Sequence, residues 1–435
     1  MKYSSFNSFL KKDVCLFLLL ASSSFMWTGS VNAREIYLLP SITLHTEYDD
    51  NKRLRETNKY AAFGVITRAN AKAGIRSDSY DIALDSQVSI NRYAVNKGSR
   101  GDVDIDSEDF RFDLSSFYNL TEKNRIGLSA NYTQDTTLTS EFLADANQDG
   151  KVDGADGSGI TNERNIQRNK WSVAPDWGYS LSETQLLQAN YSHTEVAYDS
   201  SEASSYVDYA IDFAQISFKQ QWTPLFSNSL STSVMFYDVP ERDQLITEYS
   251  INVGAEYQIA PTWFASFQVG SRFTKTEVPS VFVFNRQTRN FEEVNNSSDT
   301  QGLTFSFSMD KQFESGHTGI SYSRSTSAQG DGRLQLRDTV NAYFKYNFAQ
   351  NWHLSLTGSY SDSTSANNGD NNNDRTYFRI RPSIRWAFDR QTSLTAGYQY
   401  RTQKYNGSSN SGRADSNSVF LVLNYRWGKI ATQRY

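Results

Sequence analysis

The sequence contains few of the residues on which most folds of this size depend. Its 435 residues include one cysteine, four methionines and seven prolines, and its mean hydropathy is -0.61. Apart from one stretch near the N-terminus, it has no run of about 20 apolar residues, which excludes a helical membrane protein. Its 26 Tyr, 27 Phe and 8 Trp exclude a disordered chain. The chain is therefore polar on average and yet rich in aromatic side chains.

Residues 1–33 have the features of a secretory signal peptide. A basic start precedes the apolar stretch Val14–Met26, and Val31–Ala33 offers a small-residue cleavage site. The only cysteine, Cys15, lies in this segment, so the exported chain would contain neither a disulfide nor a cysteine-based site. Export would leave an acidic chain, which is untypical of a protein that binds nucleic acid.

The rest of the chain alternates between apolar and polar residues, most clearly over residues 126–133, 249–257, 303–310 and 339–348. Successive side chains of a strand point to opposite faces, so each segment has one apolar and one polar face. The polar faces are rich in Ser, Thr, Asn, Gln, Arg and Asp, which suits a water-filled interior. A soluble β-sandwich would alternate too, so the lengths of segments and loops must decide.

Those lengths favour a transmembrane barrel. A tilted strand needs about ten residues to cross a bilayer, whereas strands of soluble proteins have ~5–6. Short connections, such as 260–262, alternate with long polar ones, such as 278–296, as periplasmic turns alternate with external loops. We predict an all-β fold, a transmembrane antiparallel up-and-down barrel of about 18 strands, in the outer membrane of a Gram-negative bacterium. The predicted strands are 36–48, 61–76, 80–93, 107–119, 125–138, 166–180, 184–197, 206–221, 228–238, 245–259, 263–276, 299–313, 317–328, 333–348, 352–364, 374–388, 392–405 and 416–427.

Aromatic residues near the segment ends predict the interfacial girdles of such a barrel, the alternative being the core of a sandwich. The segment 206–221 changes phase near Phe213, which predicts a β-bulge. A barrel of this size leaves an aqueous channel, so the lumen should pass solute unless loops fold into it. The predicted girdle residues are Tyr37, Tyr48, Tyr118, Trp171, Trp177, Trp222, Trp263, Trp352, Trp386 and Trp427.

Within the long external loop 139–165, residues 145–156 fit the spacing of a calcium-binding loop. Oxygen ligands fall at positions 1, 3, 5, 9 and 12, a backbone carbonyl serves at position 7, and Gly150 makes the turn at position 6. Position 12 is Asp where EF-hands carry Glu, as in the loops of dockerins and thrombospondin-type repeats. The alternative is an acidic solvated loop. The predicted ligands of a structural Ca²⁺ are Asp145, Asn147, Asp149, Lys151 through its carbonyl, Asp153 and Asp156.

Basic side chains recur on the polar faces of several strands. A charge facing lipid at mid-bilayer costs ~2–4 kcal/mol, so these side chains should point inward. Rings of Arg and Lys favour anions, but acidic residues such as Asp85, Asp113 and Asp389 are expected on the same faces. Two interpretations stay open: a track for an anionic sugar polymer, or salt bridges that stiffen the wall. The predicted interior basic residues are Arg68, Lys72, Arg76, Arg111, Arg272, Lys345, Arg379, Arg381, Arg385 and Arg401.

The sequence argues against an enzyme. Barrels that act as hydrolases need a His paired with Ser or Asp near the rim. The four histidines are His45, His193, His317 and His353, and no Ser-centred elbow motif accompanies them. No cluster of histidines suggests a transition metal either.

Three stretches resemble a known family: LLPSITLHTEYDDNKRL at 38–54, NYTQDTTLTSE at 131–141, and the aromatic closing strand at 419–427. They resemble β-barrel porins associated with exopolysaccharide biosynthesis, some of them linked to the PEP-CTERM sorting system and similar in design to alginate-export porins. The resemblance implies an exit pore for a secreted exopolysaccharide. A polysaccharide substrate and a periplasmic polysaccharide-export protein would then be partners. The predicted barrel itself implies outer-membrane lipid, and its aromatic last strand suits recognition by the barrel assembly machinery.

Two other functions stay open at this point. The chain could be a general or substrate-specific diffusion porin, because any wide polar lumen admits small solutes. It could also be a structural or adhesive surface barrel whose external loop is stabilised by calcium.

Overall fold

The alternating segments form strands of 13 to 17 residues, long enough to cross a bilayer with tilt. The computed structural model describes residues 34–57, 59–95, 105–137, 166–199, 206–278, 281–285, 290–294, 297–365, 374–406 and 411–434. In this part of the chain no helix is long and apolar enough to span a membrane. The predicted signal peptide and calcium loop lie outside the described residues.

The strands follow one another around the wall. They are β1 (Arg34–Asp49), β2 (Ala62–Arg76), β3 (Tyr80–Val95), β4 (Ser107–Thr121), β5 (Asn124–Thr136), β6 (Gln167–Ser182), β7 (Gln185–Tyr198), β8 (Tyr209–Thr223), β9 (Phe226–Val239), β10 (Gln244–Ala260), β11 (Trp263–Glu277), β12 (Val281–Asn285), β13 (Asn290–Val294), β14 (Ser298–Phe313), β15 (Gly316–Ala328), β16 (Leu334–Ala349), β17 (Trp352–Ser365), β18 (Arg375–Ala387), β19 (Thr392–Asn406), β20 (Ser411–Arg426) and β21 (Ile430–Arg434). A short 3₁₀ helix, Pro240–Arg242, links β9 to β10.

These strands form a closed barrel. Each wall strand pairs antiparallel with the next, and β1 pairs with both β2 and β20, so the sheet has no free edge. The wall contains 18 strands, β1–β11 and β14–β20, as predicted. The strands β12 and β13 form a separate hairpin inside the predicted long loop 278–296.

The last wall strand is broken opposite Pro40. Its first part, β20, pairs with Ser41–Asp49, and after a break at 427–429 the short β21 pairs with Arg34–Leu38. The Trp427 N–H donates to the Pro40 carbonyl at 3.1 Å, but Pro40 has no N–H to return to the ladder. The C-terminal tail, which the sequence placed beyond the last strand, therefore completes the closure.

Exposed apolar side chains form a belt around the outside. In β10, Tyr249, Ile251 and Val253 are 52–54% exposed, whereas Ser250, Asn252 and Gly254 face the interior. In the neighbouring strands, large apolar residues at alternate positions are likewise exposed, such as Leu230 and Phe236 in β9. An apolar surface of this extent is stable only in lipid, and the chain is an outer-membrane barrel.

Aromatic rings mark the periplasmic edge of this belt. Trp352 stacks on Trp386, with ring centres 5.4 Å apart and planes within 2°, and Phe388 packs 4.0 Å from Trp386.

The prediction that Tyr37 belongs to the girdle is wrong. The exposed apolar residues of β1 occupy even-numbered positions, and Tyr37 is at an odd-numbered one. Its side chain is buried inside the barrel, at 6% exposure, with the Arg76 guanidinium over its ring.

The predicted bulge at Phe213 is also wrong. The strand β8 pairs without a register shift through Ser192↔Phe213 and Tyr191↔Ala214. The phase changes because the interior itself becomes apolar near the outer end of β8, where Tyr209 and Ile211 pack into a buried cluster. The strand β8 is therefore regular, and what changes along it is the interior, which is polar lower down and apolar near its outer end.

Candidate functional site

Barrel closure gathers basic residues from both ends of the chain. The strands β18, β19, β20, β1 and β2 are consecutive in the sheet. They form one side of the interior, here named the basic wall. Seven predicted residues occupy its inward positions: Arg68, Lys72, Arg76, Arg379, Arg381, Arg385 and Arg401.

The three other predicted basic residues lie elsewhere on the interior face. Arg111 pairs with Asp113 of its own strand, at 2.6 Å between Nε and Oδ2. Arg272 is 4% exposed and contacts Glu248 at 3.4 Å. The Lys345 ammonium lies 5.6 Å from the centre of the Tyr343 ring. These three do not extend the basic wall.

One external segment folds into the mouth against this wall. Residues 50–57, here named the inward loop, follow β1 and turn into the lumen. Leu54 is 1% exposed and packs with Tyr377 and Ala414, both of which face the interior. The Asn51 side-chain amide donates to the carbonyls of Arg55 and Asp415, at 2.8 and 2.9 Å. The loop is therefore packed rather than solvated.

Ion pairs join the inward loop to the wall. Lys52 contacts the Glu47 carboxylate, and its ammonium lies 5.0 Å from the Tyr93 ring centre. Burial by itself would lower the pKa of Lys52, but Glu47, Tyr93 and Asp49 together outweigh burial and raise it above the ordinary value. Lys52 therefore stays charged at neutral pH. A cavity of about 40 Å³ remains between the loop and the basic wall.

Four of the ten residues that line this cavity are basic. Lys52, Arg379, Arg381 and Arg401 face it, and Glu47 is its one carboxylate. His45 also reaches it, is 5% exposed, and lies 3.7 Å from Glu47. This small cavity therefore carries an excess of positive charge.

A second segment narrows the mouth from the other side. The strand β15 pairs with β14 only as far as Arg324, but it continues to pair with β16 to the Ala328↔Leu334 pair. This end, residues 325–337, is here named the inward hairpin. Gln335 and Arg337 within it are 4% and 3% exposed.

The tip of the inward hairpin is fixed to the outer ends of β8 and β9, a few strands along the wall. The Tyr237 hydroxyl donates to the Gln329 carbonyl at 2.8 Å, and the Val207 N–H donates to the Gly330 carbonyl at 2.9 Å. Leu334 is 1% exposed and lies in a cluster with Tyr237 and Ile246. The tip thus bridges the interior side of β10, β11 and β14, from β15 to β8 and β9.

Contacts at the base of the inward hairpin explain why Arg272 is buried and paired with Glu248. The Thr326 hydroxyl donates to Glu248 at 2.7 Å, and the same carboxylate accepts from Arg272 and Thr274. Arg272 therefore belongs to the contacts that hold the hairpin, which favours the salt-bridge interpretation at this position.

Serine hydroxyls line much of the remaining interior. In β9, β15 and β17 the inward positions are serine at nearly every second residue. Inward serines of β9 and β10 hydrogen-bond across strands, as between Ser233 and Ser250 at 2.7 Å. We name these surfaces the serine faces: Ser227, Ser229, Ser231 and Ser233 in β9; Ser321, Ser323, Ser325 and Ser327 in β15; Ser355, Ser359, Ser361 and Ser363 in β17.

Sequence reasoning missed Lys52 and the inward hairpin. Lys52 stands in a polar stretch that predicts an external loop. One feature of the sequence could have indicated the hairpin: the short connection 329–333 contains two glycines, Gly330 and Gly332. A Cβ at Gly330 would lie 2.3 Å from the Tyr198 hydroxyl, and Gly332 has a φ of +77°. Such a turn fits a closely packed tip.

The described residues contain no group of three His, Cys, Asp or Glu side chains arranged to hold a metal ion. His193 faces outward with Asp212, and His317 and His353 lie near the periplasmic turns.

The prediction that Asp389 faces the interior is wrong. Asp389 lies in a turn, where its carboxylate accepts from the Gln391 and Thr392 N–H groups. The predicted calcium ligands Asp145, Asn147, Asp149, Lys151, Asp153 and Asp156 lie outside the described residues.

No protein-family model and no curated protein sequence matches the chain. Among solved structures it is similar to OccAB4 of Acinetobacter baumannii, with 13% identity over 91% of this chain and 98% of that one and a TM-score of 0.44. It is also similar to the ferric-catecholate import receptor Fiu of E. coli K12, with 10% identity over 92% of this chain and 82% of that one and a TM-score of 0.43. OprD of Pseudomonas aeruginosa has 9% identity over 90% of this chain and 95% of its own, with a TM-score of 0.41. At these identities and TM-scores, the similarity says nothing about which solute crosses the barrel.

Proposed function

We propose that the protein is an outer-membrane diffusion channel that prefers small anionic solutes. The observation that carries the proposal is the basic wall where it meets the inward loop. There Lys52, Arg379, Arg381 and Arg401 line a small cavity inside the mouth, opposed by Glu47 and Asp49. Basic side chains lining a pore attract anions and repel cations, and a low-dielectric wall strengthens that field.

The pore current of the purified barrel in planar bilayers tests this proposal. Under a potassium chloride gradient, the reversal potential should show anion preference. The Arg379→Gln/Arg381→Gln variant should move the reversal potential towards zero, because two cations of the basic wall are gone. Arg413→Gln is a matched control, since Arg413 is 62% exposed and pairs with Asp415 on the outward face.

Two results would contradict the proposal. A cation-selective wild-type pore would show that the basic wall does not set the selectivity. A complete absence of conductance, with folded protein in the bilayer, would favour the structural or adhesive barrel instead.

Export of an exopolysaccharide is the second candidate, and the serine faces favour it. Hydroxyl groups along β9, β15 and β17 can hydrogen-bond the hydroxyls of a sugar polymer, while the basic wall attracts its acidic groups. A polymer would have to displace both the inward loop and the inward hairpin. Deleting the gene tests the idea: loss of secreted polysaccharide with unchanged uptake of small solutes would support export, and the reverse would support diffusion.

We also propose that the loop 139–165 binds one Ca²⁺. The spacing of Asp145, Asn147, Asp149, Asp153 and Asp156 supplies oxygen ligands, and Lys151 adds its carbonyl. The role would be structural, ordering a long loop outside the membrane.

A further inference from the structure

A groove runs along the lipid-facing surface across β14 to β18. Its volume is about 430 Å³, within the range of pockets that hold small ligands. One row of paired residues crosses it: Met309↔Ile320, Ile320↔Ala342, Ala342↔Gly358 and Gly358↔Ile380. Ala342 and Gly358 form the floor because their side chains are small, and Ile320 and Ile380 stand on either side.

A basic side chain lies at the periplasmic end of this groove. Lys311 alternates with Met309 and Phe313 on the outward face of β14 and lines the groove itself. Its ammonium lies 4.6 Å from the centre of the Trp263 ring. In the described strands Lys311 has no carboxylate within ion-pair distance, and no other basic side chain faces outward at this level on β11, β15 or β16.

The aromatic rings beside Lys311 mark the level of the lipid headgroups. Phe313 stacks on Phe344 and Tyr346, with ring centres 5.9 and 6.2 Å apart. Aromatic girdles of this kind lie at the membrane–water interface. A lysine at that level extends its ammonium towards the headgroups while its methylene groups stay in the apolar layer.

We propose that the groove holds one anionic glycerophospholipid of the periplasmic leaflet. Its phosphate would contact Lys311, and an acyl chain would lie over Ala342 and Gly358 between the two isoleucines. A phospholipid matches both parts of the site. Its phosphate suits the Lys311 ammonium, and its acyl chain suits the apolar groove that leads from Lys311 into the membrane. A second copy of the barrel would instead press Lys311 against an apolar belt and leave its charge unpaired. The proposal is independent of what the lumen conducts.

Native mass spectrometry of the full chain in detergent, titrated with dimyristoyl-phosphatidylglycerol, tests the site. Wild-type barrel should retain one tightly bound lipid. Lys311→Gln should weaken that binding about fivefold, the effect of one cation near a lipid phosphate. Lys345→Gln is the matched control. Lys345 follows Phe344, the β16 residue in register with Lys311 through Thr318, and its side chain faces the lumen. Its lipid binding should equal that of the wild type.

Filling the groove is a second, independent variant. A Cβ at Gly358 would meet no heavy atom nearer than the Arg379 carbonyl at 3.8 Å, so the wall accommodates Gly358→Leu. This variant should lose the retained lipid, with folding verified by heat-dependent gel mobility. If both Lys311→Gln and Gly358→Leu bind the lipid as the wild type does, the proposal is wrong. A lipid-free dimer that disappears in Gly358→Leu would also overturn it, in favour of a second copy as the occupant.

Discussion

Arg401 in β19 and Asp49 at the end of β1 form a buried ion pair, with Nη2 2.5 Å from Oδ2 and both side chains 2% exposed. The residues are 352 positions apart and meet because the barrel closes between β20 and β1. Ser416 completes the arrangement by donating to the other Asp49 oxygen at 2.7 Å. This pair holds the start of the inward loop against the basic wall.

Arg401→Gln and Asp49→Asn should each release the inward loop. Removing one partner of a buried pair leaves an unpaired charge, at a cost of ~3–5 kcal/mol. Single-channel conductance should therefore rise in both variants, and added protease should cut after Lys52. The double variant Asp49→Asn/Arg401→Gln should be milder than the sum of the two, since no lone charge is left behind. Wild-type conductance in both single variants would show that the pair does not hold the loop.

Leu334→Ala should loosen the inward hairpin. The side chain is fully buried in the cluster around Tyr237, and truncating a buried leucine costs ~2–5 kcal/mol. Current recordings should show larger fluctuations, because the tip no longer stays docked on β8 and β9. Leu303→Ala is the control: Leu303 is 64% exposed to lipid, and its truncation should leave the current steady. Equal recordings for the two variants would argue against a docked tip.

Deleting residues 428–435 should weaken closure of the barrel. The deletion removes β21 and leaves Arg34–Leu38 without a partner on that side. Each lost backbone hydrogen bond costs ~1 kcal/mol, so the temperature at which folded barrel converts to the unfolded form on gels should fall. An unchanged temperature would mean that β20 alone closes the wall.

The Asp145→Ala/Asp149→Ala variant should abolish calcium binding measured by calorimetry. Two of the predicted carboxylate ligands are lost, and a hard cation needs six or more oxygens. Asp370→Ala/Asp374→Ala, in an acidic stretch without the calcium-loop spacing, should bind calcium as the wild type does. Calcium binding that survives the first pair would reject the site.

Much of the wall could be predicted from alternation alone. The period of two is a local property of a strand, so the number of strands, their positions and the inward parity of residues such as Arg379 and Lys72 follow from neighbouring residues. The same reasoning failed at Phe213 and Tyr37. At Phe213 it assumes that the interior is wet at every height, and the buried cluster at the outer end reverses that assumption. At Tyr37 it assigned an aromatic residue to the girdle although its odd position in β1 faces the interior.

The amino-acid sequence by itself determined a closed wall with one polar and one apolar face, because its alternating segments are long enough to cross a bilayer and are joined by alternately short and long connections. Only the tertiary structure decided what the mouth contains. Closure places Arg401 beside Asp49 and joins β18–β20 to β1 and β2, so that separate basic segments become one basic wall. The inward loop and the inward hairpin depend on contacts between residues far apart in the chain, such as Tyr237 with Gln329. No local pattern encodes such contacts, since each segment is polar enough to read as a solvated loop or an ordinary strand end until its distant partner is in place.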